Sequence, residues 1–91
     1  MSTPEFSNQF KRSYKLMIKR NANPELLENV ISLICAGEPL PSNYKEHNLS
    51  GKYSKYKECH ILPDWPLIYK KDTEKQIVYF TDTGTHSDLF R

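Results

Sequence analysis

The sequence predicts an α+β domain on three observations. Two stretches with helical hydrophobic period come first, three stretches with period two follow, and the connections between those last three are short. The 91 residues enclose one hydrophobic core, so residues 1–91 are expected to form a single domain. Consecutive strands with short connections imply an antiparallel meander, and the two preceding helices must pack on one of its faces.

Phe6, Phe10, Tyr14, Met17 and Ile18 recur at helical spacing, while Arg12, Lys15 and Lys19 share a different face. This is the pattern of an amphipathic helix of about four turns. Ser7 is a candidate cap, in which case "TPEF" before it is a short edge strand. The second helix has clearer ends. Asn23 can cap it, Pro24 suits its first position, Glu25 complements the dipole, and Leu26, Leu27, Val30, Ile31 and Ile34 form the buried stripe. Gly37, followed by Pro39 and Pro41, stops it. The segment "EPLPSNYKEHNLSG" has no period and reads as a loop that delivers His47. From Lys52 the period becomes two, with Tyr56, Glu58 and His60 on one face and Cys59 and Ile61 on the other. A turn at "LPDWP" leads to a second strand expected near Leu67, since Pro66 suits only a strand start or an edge. "KDTEK" turns the chain into a third strand, "QIVYFTD".

The formal net charge is only +2, with 26% charged and 12% aromatic residues, which indicates neither disorder nor a charged tail. Its distribution says more. Lys11, Arg12, Lys15, Lys19 and Arg20 carry no intervening acid, and Lys45, Lys52, Lys55 and Lys57 are opposed locally only by Glu46. The acids Asp64, Asp72, Glu74, Asp82 and Asp88 fall late in the chain, so one surface is suited to a polyanion. The longest apolar run, Val30 to Ala36, is too short to span a bilayer, and "MSTPEF" lacks a basic segment followed by an apolar one. A cytoplasmic protein without membrane contact is expected. Cys35 and Cys59 read as buried thiols, because small secreted scaffolds use more bridges than one.

The three histidines, His47, His60 and His86, sit in loops or on the polar strand face, beside Glu58 and Asp64. Two kinds of site fit. In the first, imidazoles exchange protons near neutral pH, and a carboxylate such as Asp64 fixes a ring tautomer or balances an imidazolium. In the second, the three histidines bind a metal, but their spacing matches no compact zinc pattern. Each feature alone has a plainer reading: a solvated histidine, a tyrosine with a wet tip at Tyr53, Tyr56, Tyr69 or Tyr79, a solvated basic helix face.

"PLPSNYKEHNLSGKYSKYKECHILPDWPLIYK", Pro39 to Lys70, followed by "TGTHSDLF", Thr83 to Phe90, resembles the YafQ-type toxins of the RelE/ParE superfamily. These are ribosome-dependent messenger-RNA endoribonucleases of bacterial type II toxin–antitoxin systems. The resemblance implies a RelE-like fold, with a small antiparallel sheet, two helices on one face and "TPEF" as a strand. It implies a site on the concave sheet face made of His47, His60, Asp64, His86 and Phe90, with no metal and no cofactor. In that site His86 would be the leading general acid, His47 or His60 would assist deprotonation or stabilise phosphate charge, Asp64 would orient or charge-balance an imidazole or accept a proton itself, and Phe90 would stack on a base. Lys52, Lys55 and Lys57 would flank the groove, while Arg12, Lys15, Lys19 and Arg20 would face ribosomal RNA. The implied partners are a cognate antitoxin, the small-subunit ribosomal RNA of the A site, the message, and operator DNA only through the antitoxin. Two residues depart from the family pattern. Glu58 stands where an aspartate is also seen, and Asp82 stands where relatives commonly carry arginine; either Lys57 or Lys70 compensates for Asp82, or it points away from the groove. The alternative function is a non-catalytic or ParE-like protein that acts by binding gyrase.

Overall fold

A computed structural model describes residues 1–90. Ser7 decides where the first helix begins. Its Oγ accepts from the Phe10 N–H at 2.9 Å and donates to the Thr81 carbonyl at 2.7 Å, so strand β1 (Thr3–Phe6) ends and α1 (Asn8–Lys19) starts at a residue tied to the sheet. In α2 (Pro24–Ala36), the Asn23 side chain accepts from Glu25 N–H at 3.0 Å, and Gly37 closes the helix in the left-handed region at φ 77°. Both ends are where the sequence puts them.

Three antiparallel strands form the meander: β3 (Lys57–Leu62), β4 (Trp65–Asp72) and β5 (Ile77–Thr83). β2 (His47–Asn48) adds to β3, and the order across the sheet is β1-β5-β4-β3-β2. The helices cover one face, where Phe10, Met17, Leu27, Val30 and Ile34 pack with Cys59, Leu67, Tyr69, Val78 and Phe80. The α+β class stands, but the sheet is mixed where an antiparallel one is expected, because β1 runs parallel to β5 from Thr3↔Ile77 to Phe6↔Phe80. Parallel pairing needs a long crossover, and the helices supply it.

Other differences are local. Phe6 and Ile18 remain more than a third exposed, so the buried stripe of α1 narrows to Phe10 and Met17. The "EPLPSNYKEHNLSG" segment is not all loop: it contains β2, two residues that show no period. The β3–β4 turn is tighter than "LPDWP" suggests, since Leu62 pairs with Trp65 and only Pro63 and Asp64 lie between. β4 therefore begins before Leu67, and Pro66 is accommodated beside a register shift between His60 and Leu62. A short helix α3 (His86–Leu89) follows β5, opened by a reciprocal cap between Thr85 and Asp88.

Alternation along β3 separates two faces. Cys59 and Ile61 are buried against the helices, and Glu58 and His60 point the other way. Both cysteines are free and buried; burial pushes the Cys59 thiol up to about 12, with the Glu46 and Glu58 charges adding to it, and burial also raises Cys35. Among the described residues no helix is long and apolar enough to cross a membrane.

Candidate active site

The five residues of the predicted site converge on the uncovered face. The rings of His47 and His60 lie 6.1 Å apart, those of His60 and His86 5.3 Å, and those of His86 and Phe90 6.0 Å, in one continuous row. Each comes from a different place in the fold: His47 from β2, His60 from β3, His86 and Phe90 from α3 and its end, with Asp64 at the tip of the β3–β4 turn.

Two carboxylates hold the imidazoles. Glu58 Oε1 lies 3.2 Å from His47 Nε2 and 3.4 Å from His60 Nε2, and its side chain is nearly buried. His47 Nδ1 is also 2.9 Å from the Lys45 carbonyl, so both its ring nitrogens face oxygen acceptors. Asp64 Oδ1 accepts from the His86 backbone N–H at 3.1 Å and from His86 Nδ1 at 2.9 Å. These two hydrogen bonds hold the Asp64 carboxyl below its ordinary value. With Nδ1 donating, Nε2 is the His86 atom left to exchange a proton with a substrate.

Contacts behind the row set this geometry. Trp65 Nε1 donates to Thr83 Oγ1 at 3.0 Å, and Thr83 Oγ1 donates to the Pro66 carbonyl at 2.9 Å. This chain locks the residue after Asp64 to the strand end before His86. Arg20 grips Asp88 through two nitrogens, at 2.7 and 3.4 Å, tying α3 to the end of α1. The guanidinium first, then the Thr85 backbone N–H, hold the Asp88 carboxyl well below the usual carboxylate range. Gly84 is required here: a Cβ on it would stand 2.9 Å from Asp88 Oδ2. On the other flank Tyr69 donates to Glu46, anchoring the residue before His47; burial, then that bond, push the Tyr69 phenol upward.

Two cavities of about 440 Å³ adjoin the row. One is bordered by His60, His86, Asn43 and Lys45. The other is bordered by Phe90, Tyr53, Tyr56 and Asp82. Of the expected cations, Lys52 lies over the Tyr53 ring at 5.2 Å, at the second cavity, and Lys55 is exposed on the approach to β3. Lys57 pairs with Tyr69 in the ladder and so alternates to the Cys59 face, away from the imidazoles. Arg12, Lys15 and Lys19 lie exposed on α1 and line neither cavity. Arg20 is committed to Asp88 and is not a free cation for RNA. Asp82 is turned toward α1, where its Oδ1 accepts from Ser13 Oγ at 2.6 Å and from Thr83 N–H at 2.8 Å. Lys70, the other candidate to compensate it, stands over the Tyr56 and Tyr79 rings. No group of three or more metal-capable side chains is placed to hold an ion among the described residues.

Glu58 is the central residue that the predicted set of five omits. Its signal was available, because it shares the polar face with His60. Thr83 and the Arg20–Asp88 pair carry no such signal, but the "THSD" spacing of α3 is that of a reciprocal helix cap.

A small α+β domain that exposes a row of imidazoles, each backed by a carboxylate and ending in an aromatic ring, is equipped for proton-transfer chemistry on a bound substrate. Comparison with known proteins makes the class specific: a family described as "Bacterial toxin of type II toxin-antitoxin system, YafQ" matches residues 2–91, and the chain belongs to that family. It is 40% identical over 87 residues to the mRNA interferase toxin YafQ of Escherichia coli K12, covering 94% of this chain and 92% of that one. Among solved structures, the E. coli DinJ–YafQ complex matches with a TM-score of 0.89 and 37% identity, over 100% of both chains. A metal-bound toxin from Helicobacter pylori matches with a TM-score of 0.93 and 32% identity, over 99% of this chain and 100% of that one.

Proposed function

We propose that this chain is a ribosome-dependent endoribonuclease that cuts messenger RNA by metal-free acid–base chemistry, as the toxin of a toxin–antitoxin pair. The observation that carries the reading is the row His47–His60–His86–Phe90, within which Asp64 fixes the His86 tautomer. RNA brings its own nucleophile. His60, or His47 beside it, takes the 2′-hydroxyl proton as that oxygen attacks phosphorus. His86 Nε2 gives a proton to the departing 5′-oxygen, leaving a 2′,3′-cyclic phosphate and a free 5′-hydroxyl. Whichever of the two rings is not the base, held beside Glu58, supplies positive charge to the crowded phosphorane. Phe90 stacks on an unpaired base.

Lys52 and Lys55 serve the message, and the α1 stripe of Arg12, Lys15 and Lys19 serves small-subunit ribosomal RNA in the A site, as a second and separate surface. A cognate antitoxin covers the toxin, as DinJ accompanies YafQ in the E. coli complex, and operator DNA is reached only through it. The setting is the cytoplasm. The name of the E. coli relative supports the substrate class.

The test maps cut sites on translated and untranslated copies of one message. The reading expects cuts only in the translated copy, unchanged when the toxin is treated with chelator and freed of it before it meets ribosomes, and lost in His86→Ala. Equal cutting of both copies would remove the ribosome from the account, and loss of activity in the metal-stripped toxin would remove the metal-free mechanism. DNA damage with intact transcripts would favour gyrase binding.

A further inference from the structure

We propose that Tyr69, acting through Glu46, is a positioning residue for cleavage: it locks β2 in the one register that presents His47 to the open face. The inference rests on the reading that gives His47 a part in the chemistry. β2 is two residues long, and neither is apolar. Such a strand specifies its own register poorly, and a slip of one residue turns every side chain to the opposite face. The register observed sets His47 opposite Glu58 and Asn48 opposite Lys57. A slip in either direction turns His47 toward the helices; one direction sets Glu46 opposite Glu58, and the other sets Asn48 there.

Alternation sends Glu46 to the helix-covered face, the face that Tyr69 shares as the ladder partner of Lys57. There Tyr69, completely buried and packed on Phe80, donates its hydroxyl to Glu46 Oε2. A slip of β2 carries that carboxylate away from its donor and leaves the phenol buried without a partner, which opposes the slip. The contacts of His47 itself are a poor lock. Its Nε2 faces Glu58 and its Nδ1 the Lys45 carbonyl, so both depend on the protonation of a ring that exchanges protons during turnover. The Tyr69–Glu46 bond does not. Lys45 adds to the demand, because its φ of 51° lies in the left-handed region, where a lysine stays only if its neighbours hold it. Glu46 is the next residue in the chain, and it is the one held.

Tyr69→Phe keeps the ring and removes the donor. The Leu49 N–H donates to the Tyr56 carbonyl at 3.0 Å and so reports the register. Its hydrogen exchange in Tyr69→Phe should rise about tenfold or more, with exchange in β5 unchanged. Single-turnover cleavage of a translated message should fall about tenfold or more at saturating ribosomes, with the half-saturating ribosome concentration unchanged. Glu46→Ala, at an exposed position, should reproduce both effects, and adding Tyr69→Phe to it should cost nothing further. Glu46→Gln, whose amide oxygen still accepts from the phenol, should recover about half of the wild-type rate or more. Unchanged Leu49 exchange in both single variants, additive losses in the double variant, or a Glu46→Gln rate as low as that of Glu46→Ala overturns the lock. His47→Ala separates the two readings. If it cleaves at the wild-type rate, the role given to His47 falls while Leu49 exchange still judges the lock; if it loses cleavage and Tyr69→Phe does not, the positioning role is overturned.

Discussion

Glu58 and Asp64 lie on one hairpin and each holds imidazole, yet their side chains are 7% and 71% exposed. Glu58 sits in the sheet, between His47 and His60, where water cannot replace it. Asp64 sits at the turn tip, where it competes with water for His86. The same pairing of acid and base therefore does two jobs. The sealed carboxylate fixes geometry as part of the fold, and the wet one orients a ring that, in the mechanism proposed above, must release and recover its proton in every turnover.

The largest expected effect falls on the wet side. His86→Ala should slow single-turnover cleavage of a translated message by about 10²–10⁴-fold, with an unchanged melting temperature because α3 is peripheral to the core. Next come the carboxylates themselves. Glu58→Gln should cost about 1–3 kcal/mol of stability in denaturant titration, since a buried charged acceptor is lost to two rings. Asp64→Asn, at an exposed turn tip, should lower the melting temperature less than Glu58→Gln does and reduce cleavage by about tenfold. Equal destabilisation by the two substitutions would break the contrast between sealed and wet.

Acid pH sharpens it further. Asp64 and Asp88 both titrate below their ordinary value of about 3.9. A depressed folded pKa contributes stability that is complete above the unfolded value and is lost as pH falls through the folded one. The Asp64–His86 and Arg20–Asp88 contacts should thus persist at pH 4 and give way only below it, Asp88 last, as read by carboxyl chemical shifts. The smallest effect is expected from Arg20→Ala. An exposed pair holds α3 in place, so hydrogen exchange should rise there and not at Cys59, with cleavage falling about two- to fivefold.

What was legible locally was read correctly because it was local. The Asn23 cap, Pro24 and Gly37 mark α2 through contacts within one or two turns. The alternation of β3 put His60 opposite Cys59 for the same reason, and it applied equally to Lys57, which the groove reading overlooked. The five site residues were gathered by resemblance, not by spacing, since His47 and His86 share no period. Asp82 shows the limit: sequence marked it as unusual, but only its bond to Ser13 shows how it is held.

The amino-acid order by itself determined the helix caps, the buried thiols, the polar face of β3 and the kinds of side chain available for chemistry, because each depends on neighbours within a turn or a pleat. Tertiary structure alone decided that β1 joins β5 in parallel, that Trp65, Thr83 and Pro66 bring Asp64 to His86, and that Arg20 reaches Asp88. Such contacts form between segments far apart in the chain. Which ones form depends on how the whole core packs, and no local period records that.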